Sequence, residues 1–185
     1  ALTKDDPYGE TGLAGLEYAA EQMDFEIASQ ATFKQGDTDF TAQINQLQGA
    51  NCEIILFVGL PTETSPVLTG AAGRGFAPKW LGQSPTWLSA FANPDSDLAP
   101  YLQANFLLLS EGPQWGDTSV PGMAQMLDDI AAYAPEQKPD IYFAFGYSQS
   151  WAMAQILEKA VANGDLSPAG VLAASEQITE LTFEG

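Results

Sequence analysis

Five apolar residues stand in a row at Ile54-Ile-Leu-Phe-Val58, with no polar residue among them. A strand with one wet face alternates apolar and polar side chains. A strand without alternation is buried on both faces, as in the middle of a parallel sheet. Parallel neighbours must be joined by crossovers of a dozen or more residues, usually helices. That requirement constrains the whole chain. Strand-like runs and helical stripes alternate along it, which predicts an α/β class with a doubly wound parallel sheet covered on both faces.

The individual elements follow from local signals. Ala1 opens in what reads as mid-strand, followed by a tight turn through Asp5-Asp-Pro-Tyr-Gly9 and a helix from near Glu10. Leu13, Leu16, Ala20 and Met23 recur at helical spacing, a stripe expected to face a sheet. Phe25 to Ala28 reads as a short strand. Asp37 or Thr38 is expected to cap a helix with Phe40, Ile44 and Leu47 on its apolar face, ended by Gly49. Glu53 to Val58 is the clearest strand, and Gly59-Leu60-Pro61-Thr62 turns it into a helix through Val67 to Ala72. Pro66 is tolerable in that helix only within the first turn. Lys79 to Gly82 and Phe106 to Ser110 read as further strands, the second buried. Residues 111–120 carry the strongest linker signal. Beyond them come a helix near 121–133, a strand at Ile141 to Phe145, a helix near 147–163 and a last helix near 167–176 capped by Ser167.

Composition removes several functions. Twenty-four acidic residues against six basic ones give a net charge of −18, so no basic patch for nucleic acid or an anionic membrane can be assembled. The excess carboxylate reads as a solvated surface. No apolar run reaches membrane-spanning length, which excludes direct membrane insertion of this segment. No leader is visible, but a chain that opens mid-strand is expected to continue a longer protein, so this says little about location. Cys52 stands alone and forbids an internal disulfide; at the front of an apolar strand it reads as an inert thiol.

Catalysis finds no support. The chain has no histidine, which removes Ser-His-Asp and Cys-His nucleophiles, histidine bases and most zinc sites. Asp37-Thr-Asp39 starts like a calcium loop, yet Ala42 and Gln48 occupy the positions where such a loop needs Gly and Glu. Gly70-Ala-Ala-Gly-Arg-Gly75 matches neither phosphate-binding pattern. No catalytic residue, metal ligand or cofactor site is therefore assigned. Binding is better supported, because open parallel sheets hold ligands beyond the carboxyl ends of their strands. Four turns carry suitable groups: Tyr8-Gly9, Gly59-Leu60-Pro61, Gln83-Ser84 with Trp87, and Tyr142 through Tyr147. Each aromatic is as readily a core or lid residue; together they predict a small-molecule cleft.

Five segments in order, residues 5–12 (DDPYGETG), 33–48 (FKQGDTDFTAQINQLQ), 53–61 (EIILFVGLP), 78–87 (PKWLGQSPTW) and 140–150 (DIYFAFGYSQS), resemble the type I periplasmic binding proteins that serve branched-chain amino acid and amide ABC transporters. The resemblance spans nearly the whole chain. It implies a truncated, flavodoxin-like lobe. Residues 1–112 would form the second lobe, 113–178 a segment returning to the first, and 179–185 the start of a third hinge crossing. The implied function is a solute receptor that closes on an amino acid or similar small polar or aromatic molecule and delivers it to a membrane permease. The implied location is periplasmic or extracellular, with lipid anchoring through a preceding segment left open. A ligand sensor of the same fold is the alternative, and an enzyme on a flavodoxin-like fold a weaker one. Tyr8 matches the family's cleft tyrosine and Tyr142 an aromatic that packs on the ligand. Leu60 replaces an aromatic on the next glycine turn. Ser84 falls where branched-chain receptors place the carboxylate that holds the ligand ammonium. Either the ligand then differs from a standard branched-chain amino acid, or an acid reaches the same place from another loop.

Overall fold

A computed structural model describes residues 1–182. The end of the third crossing expected at 179–185 lies outside those residues. The chain divides into two compact units, Ala1–Glu111 and Gly112–Gly185.

The first unit contains β1 (Leu2–Lys4), α1 (Pro7–Met23), β2 (Ala31–Phe33), α2 (Thr41–Gly49), β3 (Ile54–Val58), α3 (Pro61–Gly73), β4 (Lys79–Gln83), α4 (Ala99–Asn105) and β5 (Phe106–Leu109). The five strands form one parallel sheet in the order β2-β1-β3-β4-β5. Alternate residues of a strand face opposite sides. Ile55, Phe57, Trp80 and Phe33 point to one side and pack with Ile44 and Leu47 of α2 and Val67 and Leu68 of α3 in a fully buried cluster. Edge-to-face contacts link its rings, Phe57 to Trp80 at 6.2 Å and Phe33 to Phe40 at 5.4 Å. Polar atoms inside it are satisfied. The Trp80 indole donates to Tyr101 Oη, which donates to the Phe76 carbonyl. Burial raises the Tyr101 phenol above its ordinary value.

The other face is served by α1, which packs on β1 and β3. Its inner residues Leu13, Leu16 and Ala20 are half-buried, whereas Met23, expected in the same stripe, is 74% exposed. The helix overshoots the sheet at that end. It also starts earlier than Glu10, because Asp6 caps it and Pro7 occupies its first position.

Several sequence expectations need correction. Phe25 to Ala28 is not a strand. Asp24 ends α1 in the left-handed region (φ 53°), and the chain runs irregularly until Ala31–Phe33, whose residues alternate against β1. Asp37 and Thr38 do not cap α2: its cap position is Phe40. Asp37 instead accepts from the Lys34 N–H to close a turn, and Asp39 accepts from Thr41. Pro66 lies in the second turn of α3, not the first. Phe106 to Ser110 is not buried. It ends at Leu109 on the sheet's edge, with Leu107 55% exposed in the row Leu56–Leu81–Leu107 that faces the α1 side.

The second unit holds α5 (Pro121–Tyr133), α6 (Ile141–Asn163) and α7 (Pro168–Gln177). Ile141 to Phe145, expected as a strand, is the opening of α6. Asp140 accepts from the Tyr142 N–H and caps one continuous helix that Gly164 ends at φ 75°. Ser167 does cap α7, accepting from the Gly170 N–H at 3.1 Å. Met123, Met126 and Ile130 of α5 form a small apolar cluster with Phe143, Ala144 and Tyr147 of α6.

Candidate functional site

Strand register decides which turns meet. Thr3 pairs with Val58, Phe57 with Gly82 and Gln83 with Leu109, so β1, β3, β4 and β5 end along one edge of the sheet. The residues just past those ends are Tyr8, Leu60, Ser84 and Glu111. In parallel α/β sheets this carboxyl edge is where ligands bind.

The first turn is built around a tight approach. Asp6 Oδ1 accepts from the Gly9 N–H at 3.0 Å, and Lys4 Nζ sits 3.0 Å from Asp6 Oδ2. These two contacts, the backbone N–H first, hold the Asp6 carboxyl below its usual range. Gly9 is buried against the strand it has just left. A Cβ there would stand 1.8 Å from the Lys4 carbonyl oxygen, so only glycine lets α1 start this close. The result fixes Tyr8, whose hydroxyl donates to Gln83 Oε1 at 2.8 Å. That bond ties the turn after β1 to the end of β4.

At the second turn Leu60 caps α3 and Pro61 takes its first position. Glu63, 2% exposed, returns its carboxylate to the Leu60 N–H at 2.9 Å. Leu60 has no polar side chain to reciprocate, so half of a capping box is present. Thr64, also buried, donates to the Thr86 carbonyl at 2.7 Å and so ties α3 to the third turn.

That third turn is a short 3-10 segment at Ser84–Thr86. Thr86 Oγ1 donates back to the Gln83 carbonyl at 2.6 Å. Trp87 lies half-buried and stacked on Phe106, 5.8 Å between centroids at 28°, and its ring belongs to the apolar cluster. Ser84 is 4% exposed, and its hydroxyl donates to Glu111 Oε1 at 2.7 Å.

Tyr8, Gly9, Leu60, Pro61, Ser84 and Trp87 thus lie on three neighbouring turns of one edge. Tyr142 through Tyr147 is not a fourth such turn, because it sits inside α6 of the second unit. There Tyr142 lies edge-on to Phe145 at 6.1 Å. Tyr147 Oη donates to the Asp129 carboxylate of α5, next to an apolar cleft of about 190 Å³ between α5 and α6. Sequence reasoning missed Glu111, which it placed in the linker. The signal was present: Glu111 follows the last strand by two residues, on a turn like the one that carries Ser84 after β4. Among the described residues no group of three His, Cys, Asp or Glu side chains is placed to hold a metal, and no helix is long and apolar enough to cross a membrane.

A five-stranded parallel sheet with hydrogen-bonding side chains gathered on its carboxyl edge is an open α/β lobe. The chain belongs to the periplasmic binding protein family, whose profile matches residues 1–185. Solved structures share the fold. A fatty acid ABC transporter substrate-binding protein from Thermomonospora curvata superposes with a TM-score of 0.81 at 24% identity, over 94% of this chain and 44% of its own length. An extracellular ligand-binding receptor from Rhodopseudomonas palustris gives 0.76 at 18%, over 99% and 53%. A possible leucine/isoleucine/valine-binding protein from Rhodopirellula baltica SH 1 gives 0.72 at 23%, over 95% and 47%. The chain therefore spans about half the length of the solved structures it matches. No curated protein matches it.

Proposed function

We propose that this chain is part of the solute receptor of an ABC importer, binding an amino acid or similar small polar or aromatic molecule without altering it. Residues 1–112 are assigned to the second lobe, 113–178 to a segment returning to the first, and 179–185 to the next crossing. The ligand is held by hinge closure: a molecule bound to one lobe adds contacts with the other, and its differential affinity selects the closed state. The closed form then docks on a membrane permease, outside the cytoplasm. Tyr8, Leu60, Pro61, Ser84 and Trp87 are assigned to the ligand wall, with Gly9 setting the approach of α1. Tyr142 is assigned to it on the resemblance alone.

The observation that carries this reading is the joined edge itself. Tyr8 bonded to Gln83 and Ser84 bonded to Glu111 put aromatic, amide, hydroxyl and carboxylate groups side by side on adjoining turns. The family and the similar structures are binding proteins, which supports a receptor over an enzyme.

Calorimetric titration tests it. The full-length protein, unfolded and refolded to strip bound solute, is titrated with amino acids, amides, aromatic acids and fatty acids. Radius of gyration is followed by X-ray scattering. Saturable heat with one of them, accompanied by contraction, is expected. Silence toward the whole panel together with turnover of any compound overturns the reading.

A further inference from the structure

The sheet of the first unit ends in β2 on one side and β5 on the other. The outer side of an edge strand is a template on which a strand of another chain can pair. We propose that α2 closes the β2 edge with side chains that stand in for a further strand, and so keeps the first unit from pairing there with a second copy of this chain. The inference goes beyond the receptor reading and does not depend on which solute is bound.

Register decides which backbone groups that edge offers. The Ala31 N–H donates to the Ala1 carbonyl at 2.9 Å, and the Asp5 N–H donates to the Phe33 carbonyl at 2.7 Å. Ala31 and Phe33 therefore turn their backbone groups toward β1. The direction alternates along a strand, which leaves Gln30, Thr32 and Lys34 facing outward. A side chain meets each of the three. Gln46 Nε2 donates to the Gln30 carbonyl at 2.8 Å, and Gln43 Nε2 to the Thr32 carbonyl at 3.0 Å. Asp37 accepts from the Lys34 N–H at 2.8 Å. Gln46 is braced as well, since its Nε2 also donates to Ser29 Oγ at 3.2 Å.

The helix is patterned for this contact. Each glutamine directly precedes a buried core residue, Gln43 before Ile44 and Gln46 before Leu47. The apolar neighbours fasten α2 to the sheet, and the glutamines come to lie at its rim. The earlier glutamine meets the later strand residue, so helix and strand run in opposite directions. Three helical residues rise about 4.5 Å and two strand residues about 6.6 Å, a mismatch that two flexible side chains absorb. Gln43 Oε1 is buried and has no partner among the described residues. That amide is thus placed for its donor, on the strand carbonyl. Charge, the commoner guard of an edge, is scarce here. Residues 27–36 hold no acidic side chain and one basic one, Lys34, and α2 holds no charged residue. Carboxylates elsewhere are screened beyond about 10 Å at 0.1 M salt. Neutral amides are left to block the edge.

The test removes the two amides from the full-length protein. For Gln43→Ala/Gln46→Ala, sedimentation equilibrium in about 0.1 M sodium chloride should show reversible self-association about tenfold or more tighter than in wild type. Hydrogen exchange read by mass spectrometry locates the contact. Protection of the segment 29–34 should rise with protein concentration in the double variant and stay level in wild type. Asn45→Ala/Gln48→Ala takes two exposed amides from the same helix, neither of them bonded to β2 among the described residues, and should behave as wild type does. Gln46→Ala alone leaves the Gln43 bond in place. It should give part of the effect, and it decides the question on the same two measurements if the double variant unfolds. Association no tighter than in wild type overturns the inference. So does association that leaves exchange at 29–34 unchanged, or that Asn45→Ala/Gln48→Ala reproduces. Each of these results leaves the receptor reading standing.

Discussion

Gly9 and Asp6 carry more of this edge than their size suggests, since together they bring α1 against β1 and so aim Tyr8. Replacing Gly9 by Ala drives a Cβ to 1.8 Å from the Lys4 carbonyl oxygen, which is backbone and cannot swing away. Gly9→Ala is expected to destabilise the first unit by about 3 kcal/mol or more. Gly15, in the same helix, is exposed, and a Cβ added there would meet nothing within 4 Å. Gly15→Ala should stabilise by about 0.5–1 kcal/mol. Urea midpoints compare the pair, and equal effects would show that the close approach is not what Gly9 supplies. Asp6 adds a pH dependence. Its folded-state pKa lies below the ordinary 3.8, so its contribution is present above that value and fades as pH falls through the lower folded one. The stability difference between wild type and Asp6→Asn, measured from pH 6 down to pH 2, should therefore hold steady to about pH 4 and shrink below it. A difference constant across the range would sink the assignment. Much of this edge was legible in sequence, because a turn after an apolar run is visible without coordinates. The Ser84–Glu111 bond was not, since it depends on β4 and β5 pairing in the register Gln83↔Leu109.

At the scale of elements, β3 was readable as a strand because its apolar run is bounded by turn residues, and the helix expected near 121–133 is present as α5. β3 is not buried on both faces throughout, since Ile54 at its start is 65% exposed. The errors fell where local chemistry allowed two readings. Ile141-Tyr-Phe-Ala-Phe145 has strand composition, but Asp140 in extended conformation turns its side chain onto the Tyr142 N–H and starts a helix there. A short aromatic run cannot announce which will win. The Phe25–Ala28 error has a similar cause: strand-like side chains lie there, but the partner register selects Ala31–Phe33. If the Asp140 cap decides the start of α6, Asp140→Ala should cost the second unit about 1 kcal/mol and Asp140→Asn only a few tenths. Urea unfolding followed at the helical dichroism band measures both. Equal losses for Ala and Asn would assign the residue's contribution to its charge instead of its capping oxygen.

For the whole molecule the governing quantity is charge. The chain carries a net −18, and the ion pair recorded among the described residues is Lys4–Asp6. Most carboxylates are therefore solvated and repel one another without local compensation. Folding brings them closer, so the native state bears more of this repulsion than the extended chain does. Added salt shortens the range of that repulsion, from about 30 Å at 0.01 M to about 10 Å at 0.1 M. Stability should accordingly rise with sodium chloride between these concentrations. A relief of about 1 kcal/mol corresponds to a gain of about 2–8 °C in melting temperature for domains of this size. Potassium chloride should do the same, because screening depends on ionic strength and not on which monovalent cation supplies it. Differential scanning calorimetry at neutral pH reads the effect directly. A melting temperature that stays level or falls with either salt would mean that the carboxylates are spaced widely enough in the fold for their repulsion to be negligible, and that the −18 acts on solubility alone.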